Sequence, residues 1–219
     1  MTHVDRAREL ARRLPKVYPN AHCELDYRNP LELLVATILS AQCTDKRVNI
    51  VTKELFRRCK RAQDYVDISQ EELEGIIRST GFYRNKAKSI RAMAAKLVAE
   101  HNGQVPRSLE TLATLPGVGR KTGNVVLGNA FGIEEGVVVD THVTRVSARL
   151  GLTKHADPAK IERDLMKLFP RDKWTLLSHW LIWHGRRRCF ARKPDCEHCE
   201  LSDICPTGMK LLGRARSPA

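Results

Sequence analysis

Residues 115–123 read Leu-Pro-Gly-Val-Gly-Arg-Lys-Thr-Gly and lie between two short apolar segments with helical periodicity. Gly117 and Gly119 permit a tight hairpin, after which a second helix would begin. Backbone N–H groups at such a hairpin, together with the helix dipole, favour a bound phosphate. A bare glycine pair is more often an ordinary turn. The flanking helices and the basic Arg120 and Lys121 nevertheless favour a helix–hairpin–helix motif that binds a DNA backbone.

The chain is strongly basic. Its 219 residues carry 38 Lys+Arg against 25 Asp+Glu, a formal net charge of +13, which favours a polyanionic partner such as nucleic acid. The 42% apolar content is sufficient for a packed core. No apolar run reaches the ~18–20 residues of a membrane span, and the N-terminus lacks the apolar region of a secretory signal. We expect a cytoplasmic protein without a membrane partner.

Hydrophobic periodicity predicts helices along the whole chain. In the stretch 31–39, apolar residues recur at helical spacing after Asn29 as a cap and Pro30 in the first turn. The one β-like run, 137–139, is too short for a sheet. These patterns predict an all-α fold of about ten helices. The segment 206–219 is rich in Gly, Arg, Ser and Pro, and a disordered tail is expected there.

Two residues have both an ordinary and a catalytic interpretation. In a basic protein, Lys121 is first of all a phosphate contact. However, Arg120 and the helix N-terminus disfavour its charged form, and a neutral amine can attack a sugar carbon and form a Schiff base. Asp140 is expected to cap the next helix. Its carboxylate can also stabilise positive charge on a deoxyribose C1′ during base loss, or activate the amine. The residues alone leave both alternatives open.

Four of the seven cysteines cluster near the C-terminus, at Cys189, Cys196, Cys199 and Cys205. In an unexported protein this favours a metal site over disulfides. By ligand count, four thiolates on a compact loop suit a [4Fe–4S] cluster or a zinc ion, although zinc sites more often have two Cys-x2-Cys pairs. His198 is a possible zinc ligand, but we expect it to face solvent. The other cysteines lack ligand spacing and are expected to be mostly buried: Cys23, Cys43 and Cys59.

Together, these motifs resemble endonuclease III. The lysine-bearing hairpin, the Val-Val-Asp-Thr-His segment at 138–142 and the spacing of the four cysteines match this family over nearly the whole chain, from Leu10 to Cys205. The family consists of bifunctional DNA glycosylases and apurinic/apyrimidinic (AP) lyases of the helix–hairpin–helix superfamily. The cysteine spacing joined to the lysine hairpin is highly specific, whereas either feature alone is moderately so.

The resemblance implies two helical lobes, with DNA and the damaged base in the cleft between them. One lobe, 22–132, would be a six-helix barrel with the helix–hairpin–helix motif near 108–130. The other would join 1–21 to 133–219 and hold a [4Fe–4S] cluster on the loop 189–205. The resemblance further implies a monomer that acts on damaged duplex DNA at the bacterial nucleoid.

The resemblance also implies residue roles. Lys121 would be the Schiff-base nucleophile, Asp140 the catalytic carboxylate, and the four clustered cysteines the metal ligands. Gln42, which ends a Leu-Ser-Ala-Gln stretch, would fill the gap left by a flipped nucleotide, and Phe82 would act as a wedge. Without the family, Gln42 reads as a polar helix-end residue and Phe82 as an aromatic folded onto the core. The remaining expected DNA contacts are Gly117, Gly119, Arg120, Thr141, His142, Arg192 and Lys193.

Three residues depart from the family pattern. Gly123 stands where alanine is usual, which would weaken the second helix of the motif by ~1 kcal/mol. Cys43 places an oxidation-sensitive thiol near the insertion site. Phe82 occupies a position often held by leucine and leaves the opposite-base preference open.

The expected function is base excision repair of oxidised pyrimidines: Lys121 attacks C1′, the base leaves, and β-elimination cuts the strand 3′ to the abasic site. Two alternatives are a mismatch-specific adenine glycosylase and a thymine/uracil mismatch glycosylase, both of which usually lack this lysine. A third is a non-catalytic, cluster-bearing DNA-binding module. In such a module Lys121 would contact phosphate and Asp140 would only cap a helix.

Overall fold

The computed structural model describes residues 1–213, and all regular structure in them is helical, without a β-strand. The predicted all-α class is therefore confirmed. The twelve α-helices of the described residues are α1 (His3–Val17), α2 (Pro30–Leu39), α3 (Asp45–Arg58), α4 (Ala62–Asp67), α5 (Gln70–Ile77), α6 (Tyr83–His101), α7 (Leu109–Ala113), α8 (Arg120–Val126), α9 (Thr141–Arg149), α10 (Pro158–Leu168), α11 (Trp174–Arg187) and α12 (Pro206–Leu211). Over the same residues, no helix is long and apolar enough to cross a bilayer.

The chain divides into two compact units. One comprises Glu24–Glu135 and contains α2 to α8. The other joins Met1–Cys23 to the chain from Gly136 onward and contains α1 and α9 to α12.

Helix α2 forms the centre of the unit Glu24–Glu135. Every residue from Leu31 to Leu39 is buried, and these residues are apolar except Thr37 and Glu32, whose carboxylate pairs with Arg28 at 2.9 Å. Asn29 caps the helix as predicted, because its Oδ1 accepts a hydrogen bond from the backbone N–H of Glu32 at 2.9 Å, and Pro30 occupies the first turn. Fully buried residues of the surrounding helices complete this core: Leu55, Leu73, Ile77, Ile90, Met93 and Leu97.

Four amphipathic helices, α1, α9, α10 and α11, enclose the core of the other unit. Their buried faces include Leu10, Leu14, Val143, Val146, Ile161, Leu165, Leu177 and Leu181. The run Val137–Val139 is buried but forms no strand. The backbone N–H of Val138 instead donates to Oγ of Ser178 on α11 at 2.9 Å.

The C-terminal segment corrects one expectation. The prediction of disorder from residue 206 is wrong for the first part, because α12 spans Pro206–Leu211. Pro206 lies in the first turn, and Sγ of Cys205 accepts a hydrogen bond from the backbone N–H of Gly208 at 3.3 Å. Residues 214–219 lie outside the described residues. The six-residue helices α4 and α12 also raise the helix count above the predicted ten, because such short elements show little periodicity.

Candidate active site and metal centre

The predicted hairpin connects α7 to α8, and its two glycines have different environments. Gly117 has φ +75°, and a Cβ there would lie 2.8 Å from Cβ of Ser89, so both the backbone and the available space require glycine. Gly119 is the N-cap of α8 with extended backbone, and a Cβ there would meet nothing within 4 Å. The open side of Gly119 therefore leaves room for a ligand backbone.

Lys121 lies in the first turn of α8 and is exposed, as is Arg120. No side chain caps this helix, and its first turn contains no acidic residue. The positive end of the helix dipole and the two basic side chains therefore present the same sign of charge to an anionic ligand.

Gly123 is buried and allows α8 to approach α7. A Cβ at this position would lie 2.5 Å from Cδ1 of Leu109 and 3.7 Å from Cβ of Leu112. An alanine at this position would require Leu109 to move. In this chain, therefore, the glycine permits close packing as well as lowering helix propensity.

Asp140 is the N-cap of α9, which confirms the predicted cap. Its Oδ1 accepts a hydrogen bond from the backbone N–H of Val143 at 2.8 Å. The carboxylate is half-buried and directly follows the buried run Val137–Val139. The cap fixes the orientation of this carboxylate at the start of the helix.

The first turn of α9 holds two predicted DNA contacts. Thr141 is exposed, whereas His142 is half-buried, and Nδ1 of His142 lies 3.1 Å from Nη2 of Arg145. Burial lowers the pKa of His142, so its imidazole is neutral near pH 7 and accepts a hydrogen bond from the guanidinium. Arg145 also donates to the carbonyls of Gly185 at 2.9 Å and Cys189 at 3.1 Å.

Gln42 and Phe82 share a left-handed backbone, with φ of +54° and +47°. Both are exposed, and Phe82 is 65% exposed. A bulky residue in this region is a conformational outlier, and such strain is maintained chiefly at functional positions. The interpretation of Phe82 as an aromatic folded onto the core is wrong, because its side chain faces solvent.

The four clustered cysteines line a single cavity: Cys189, Cys196, Cys199 and Cys205. Hydrogen-bond donors approach three of the sulfurs. The backbone N–H of Leu201 lies 3.4 Å from Sγ of Cys199. The backbone N–H of Gly208 lies 3.3 Å from Sγ of Cys205. Nη1 of Arg149 lies 3.3 Å from Sγ of Cys189. Such donors stabilise thiolates that bind iron.

Four cysteine sulfurs around one cavity match, by number, the ligand set of a [4Fe–4S] cluster or of a zinc ion. Zinc requires all its thiolates at about 2.3 Å from one centre, whereas each cysteine of a cubane binds a different iron. His198 is exposed, and its Nδ1 lies 2.8 Å from Oδ1 of Asp195.

Burial opposes ionisation of the cavity thiols. It raises the pKa of Cys199 to about 11 and also raises the pKa of Cys196 and of Cys205. Bound iron would therefore supply the positive charge that holds these sulfurs as thiolates. Of the other cysteines, Cys59 is buried as expected, but Cys23 and Cys43 are only half-buried.

Sequence reasoning missed a buried polar chain that leads to Cys199. Oη of Tyr18 lies 2.9 Å from Nδ1 of His184, and Nε2 of His184 lies 3.7 Å from Sγ of Cys199. Burial lowers the pKa of His184 to about 4. Its neutral imidazole can accept from Tyr18 through Nδ1 and donate to the sulfur through Nε2. The position of His184 on α11, five residues before Cys189, was the available signal.

The basic part of the cysteine loop is held by Arg149, another residue that sequence reasoning missed. Its guanidinium donates to the carbonyls of Phe190 at 2.6 Å and Ala191 at 2.9 Å. The two residues that follow, Arg192 and Lys193, are exposed, and Lys193 has φ +49°. The loop therefore presents two cations to solvent.

The candidate residues belong to two sets. The unit Glu24–Glu135 carries Gln42, Phe82, Gly117, Gly119, Arg120 and Lys121. The other unit carries Asp140, Thr141, His142, Arg192, Lys193 and the four clustered cysteines.

Two known protein families match this sequence. Residues 35–171 match the HhH-GPD superfamily of base excision DNA repair proteins, and residues 189–205 match the iron–sulfur binding domain of endonuclease III. Fold and site thus define a DNA-repair protein of the helix–hairpin–helix class that carries an iron–sulfur cluster.

Individual relatives agree with this class. Endonuclease III of Synechocystis sp. is 56% identical over 92% of each chain, and that of Bacillus subtilis is 47% identical over 89% of each chain. A trapped endonuclease III–DNA covalent intermediate is 46% identical, with a TM-score of 0.91 over 97% of this chain and 100% of that one. The chain belongs to the endonuclease III family, and its activity is that of a DNA glycosylase and AP lyase.

Proposed function

We propose that this enzyme releases oxidised pyrimidines from duplex DNA and then cuts the strand 3′ to the resulting abasic site, with Lys121 as nucleophile. The observation that carries this proposal is the position of Lys121. It is exposed in the first turn of α8, directly after a hairpin whose Gly119 leaves open space. A phosphodiester held at Gly119 would bring the adjoining sugar to the same helix end as the amine.

The proposed reaction proceeds in two stages. Nζ of Lys121 attacks C1′, the bond from C1′ to the base breaks, and the base leaves with a proton. Opening of the sugar ring then gives a Schiff base between C1′ and Nζ. Removal of a proton from C2′ breaks the bond from C3′ to its oxygen and releases the downstream strand with a 5′-phosphate. Water then hydrolyses the Schiff base and frees Nζ of Lys121. In the first stage, the Asp140 carboxylate stabilises positive charge at C1′.

DNA binding in this proposal uses exposed basic groups and backbone amides. The hairpin at Gly117 and Gly119, with Arg120, contacts phosphates on one side of the lesion, and the net charge of +13 supports binding to a polyanion. Gln42 fills the gap left by the extruded nucleotide, while the exposed Phe82 ring separates neighbouring bases. The other proposed contacts are Thr141, His142, Arg192 and Lys193.

The cluster has a structural role in the proposal. Cys189, Cys196, Cys199 and Cys205 hold the [4Fe–4S] cluster, which supplies a rigid crosslink of the loop when bound. The loop then fixes Arg192 and Lys193 for contact with phosphate. We further propose that the enzyme acts as a monomer and associates with the bacterial nucleoid through DNA.

Duplexes that each contain one defined lesion test the substrate class. The wild-type enzyme should release thymine glycol and cut the strand, and Lys121→Ala should do neither while it still binds the duplex. An A·G mismatch duplex should remain intact. Release of adenine from the mismatch without release of thymine glycol would contradict the proposal and favour an adenine glycosylase.

A further inference from the structure

Lys86, in the first turns of α6, is a buried lysine that the proposed chemistry does not use. Only 6% of its surface is exposed. Its Nζ donates hydrogen bonds to the carbonyls of Leu39 and Thr80, each at 2.8 Å. Lysine is rarely buried to this extent unless its ammonium is paired, so the two contacts account for its position.

Both acceptor carbonyls lie at helix ends. Leu39 is the last residue of α2, and Thr80 is the last residue of the 3-10 turn Arg78–Thr80. The final carbonyls of a helix have no partner within that helix, and a cation beside them is favoured by the helix dipole. One ammonium group therefore caps the C-terminal ends of two separate helical segments.

Each of these ends leads directly into a strained residue. Gln42 follows Leu39 by three residues, and Phe82 follows Thr80 by two. Both have positive φ. The backbone N–H of Lys86 also donates to the carbonyl of Phe82 at 3.1 Å. Lys86 thus contacts Phe82 itself and the two chain segments from which Gln42 and Phe82 project.

We propose that Lys86 is a positioning residue that fixes the loop after Leu39, which carries Gln42, relative to the loop after Thr80, which carries Phe82, so that both side chains enter a duplex together. The inference rests on the insertion roles proposed above for these two residues. Left-handed conformations of such residues persist only where the surrounding structure enforces them. Nζ of Lys86 donates a hydrogen bond to the residue that precedes each loop, Leu39 and Thr80. This one atom therefore restrains both loops and couples them.

Two abasic substrates separate positioning from stability. In a duplex, the enzyme must open the stack and fill a gap, whereas a single strand containing the same abasic site presents neither requirement. Cleavage of the single strand still requires Lys121. The ratio of the duplex to the single-strand cleavage rate therefore reports on insertion, and a general loss of stability affects both rates alike.

The test variant is Lys86→Met, which keeps an unbranched side chain one atom shorter than lysine and removes the donor. Arg91→Met is the matched control, because Arg91 is also on α6 and its Nη2 donates to the carbonyl of Val66 at 3.3 Å, away from both loops. Loss of a charge-assisted bond at Lys86 should lower the rate ratio by about tenfold. Arg91→Met should leave the ratio unchanged.

Gln42→Ala and Phe82→Ala, measured in parallel, test the insertion roles of these two residues separately from the positioning role of Lys86. If they lower the ratio while Lys86→Met does not, the positioning inference is wrong and the insertion roles stand. If neither of them changes the ratio, the insertion roles themselves are wrong. An equal loss on both substrates in Lys86→Met would show a purely structural lysine and overturn the inference.

A second variant covers the case in which Lys86→Met does not fold. Lys86→Gln retains N–H donors in the buried site but is one bond shorter, so it loses at least one carbonyl contact. A folded Lys86→Gln protein should show a lowered ratio, and an unchanged ratio in that protein would contradict the inference.

Discussion

Arg149 donates a hydrogen bond from Nη1 to Sγ of Cys189 across 3.3 Å. The main-chain carbonyl of Arg149 lies 3.3 Å from Sγ of Cys205. One residue at the end of α9 therefore contacts the first and the last cysteine of the loop. A donor to a ligating sulfur stabilises its thiolate form, and its loss should weaken the hold on iron.

Replacement of this arginine gives the first prediction. Arg149→Met should lose iron to a chelator about tenfold faster than the wild type. The substitution removes the hydrogen bond to Sγ of Cys189 and those to the carbonyls of Phe190 and Ala191. The measurement is the decay of cluster absorbance. Arg8→Met, at an exposed position of α1, is the control, and equal decay in the two variants would contradict the prediction.

The chain from Tyr18 through His184 to Cys199 gives a second prediction. His184→Phe removes the donor to the sulfur, so the cluster reduction potential should fall. Tyr18→Phe leaves the imidazole in place and should lower the potential less. Voltammetry of the cluster-containing proteins measures both effects. An unchanged potential in His184→Phe would show that the imidazole does not donate to this ligand.

Asp140 allows capping and catalysis to be separated. Asparagine is as good an N-cap as aspartate, so Asp140→Asn should retain the wild-type unfolding free energy, whereas Asp140→Ala should lose about 1 kcal/mol. Both variants lack the negative charge and should lose base release. The measurements are thermal unfolding and release of thymine glycol. Full activity in Asp140→Asn would limit this residue to its cap.

Alanine substitution at the two hairpin glycines should affect different properties: fold stability at Gly117 and DNA binding at Gly119. Gly117→Ala combines positive φ with a close approach to Ser89, and we expect it to destabilise the fold by about 1–3 kcal/mol. Gly119→Ala meets open space and should leave stability within about 1 kcal/mol of the wild type. It should nevertheless weaken binding to an abasic-site duplex, because its methyl group occupies the space proposed for the phosphodiester. Undiminished binding would argue against that contact.

Features of the fold that depend on neighbouring residues could be predicted from the sequence. The caps at Asn29 and Asp140 are formed within three residues, and the cavity of four cysteines follows from their spacing. Each of these features has a local pattern, since the donor and acceptor lie within one turn or one loop.

Contacts between distant segments had no comparable signal. Lys86 lies 47 residues from Leu39, and Tyr18 lies 166 residues from His184. Only tertiary packing brings these groups together, so neither pair could be identified from local periodicity. The left-handed backbone of Gln42 and Phe82 was equally hidden, because neither residue type favours that conformation.

Borohydride trapping on a duplex with one thymine glycol tests the central role of Lys121 most directly. Borohydride reduces a Schiff base to a stable amine and so records the covalent intermediate. The account predicts a protein–DNA adduct for the wild type and none for Lys121→Ala, although both bind the duplex. An adduct of undiminished yield in Lys121→Ala would assign the nucleophile to another residue. No adduct in a wild type that binds DNA and retains its cluster would contradict the Schiff-base mechanism.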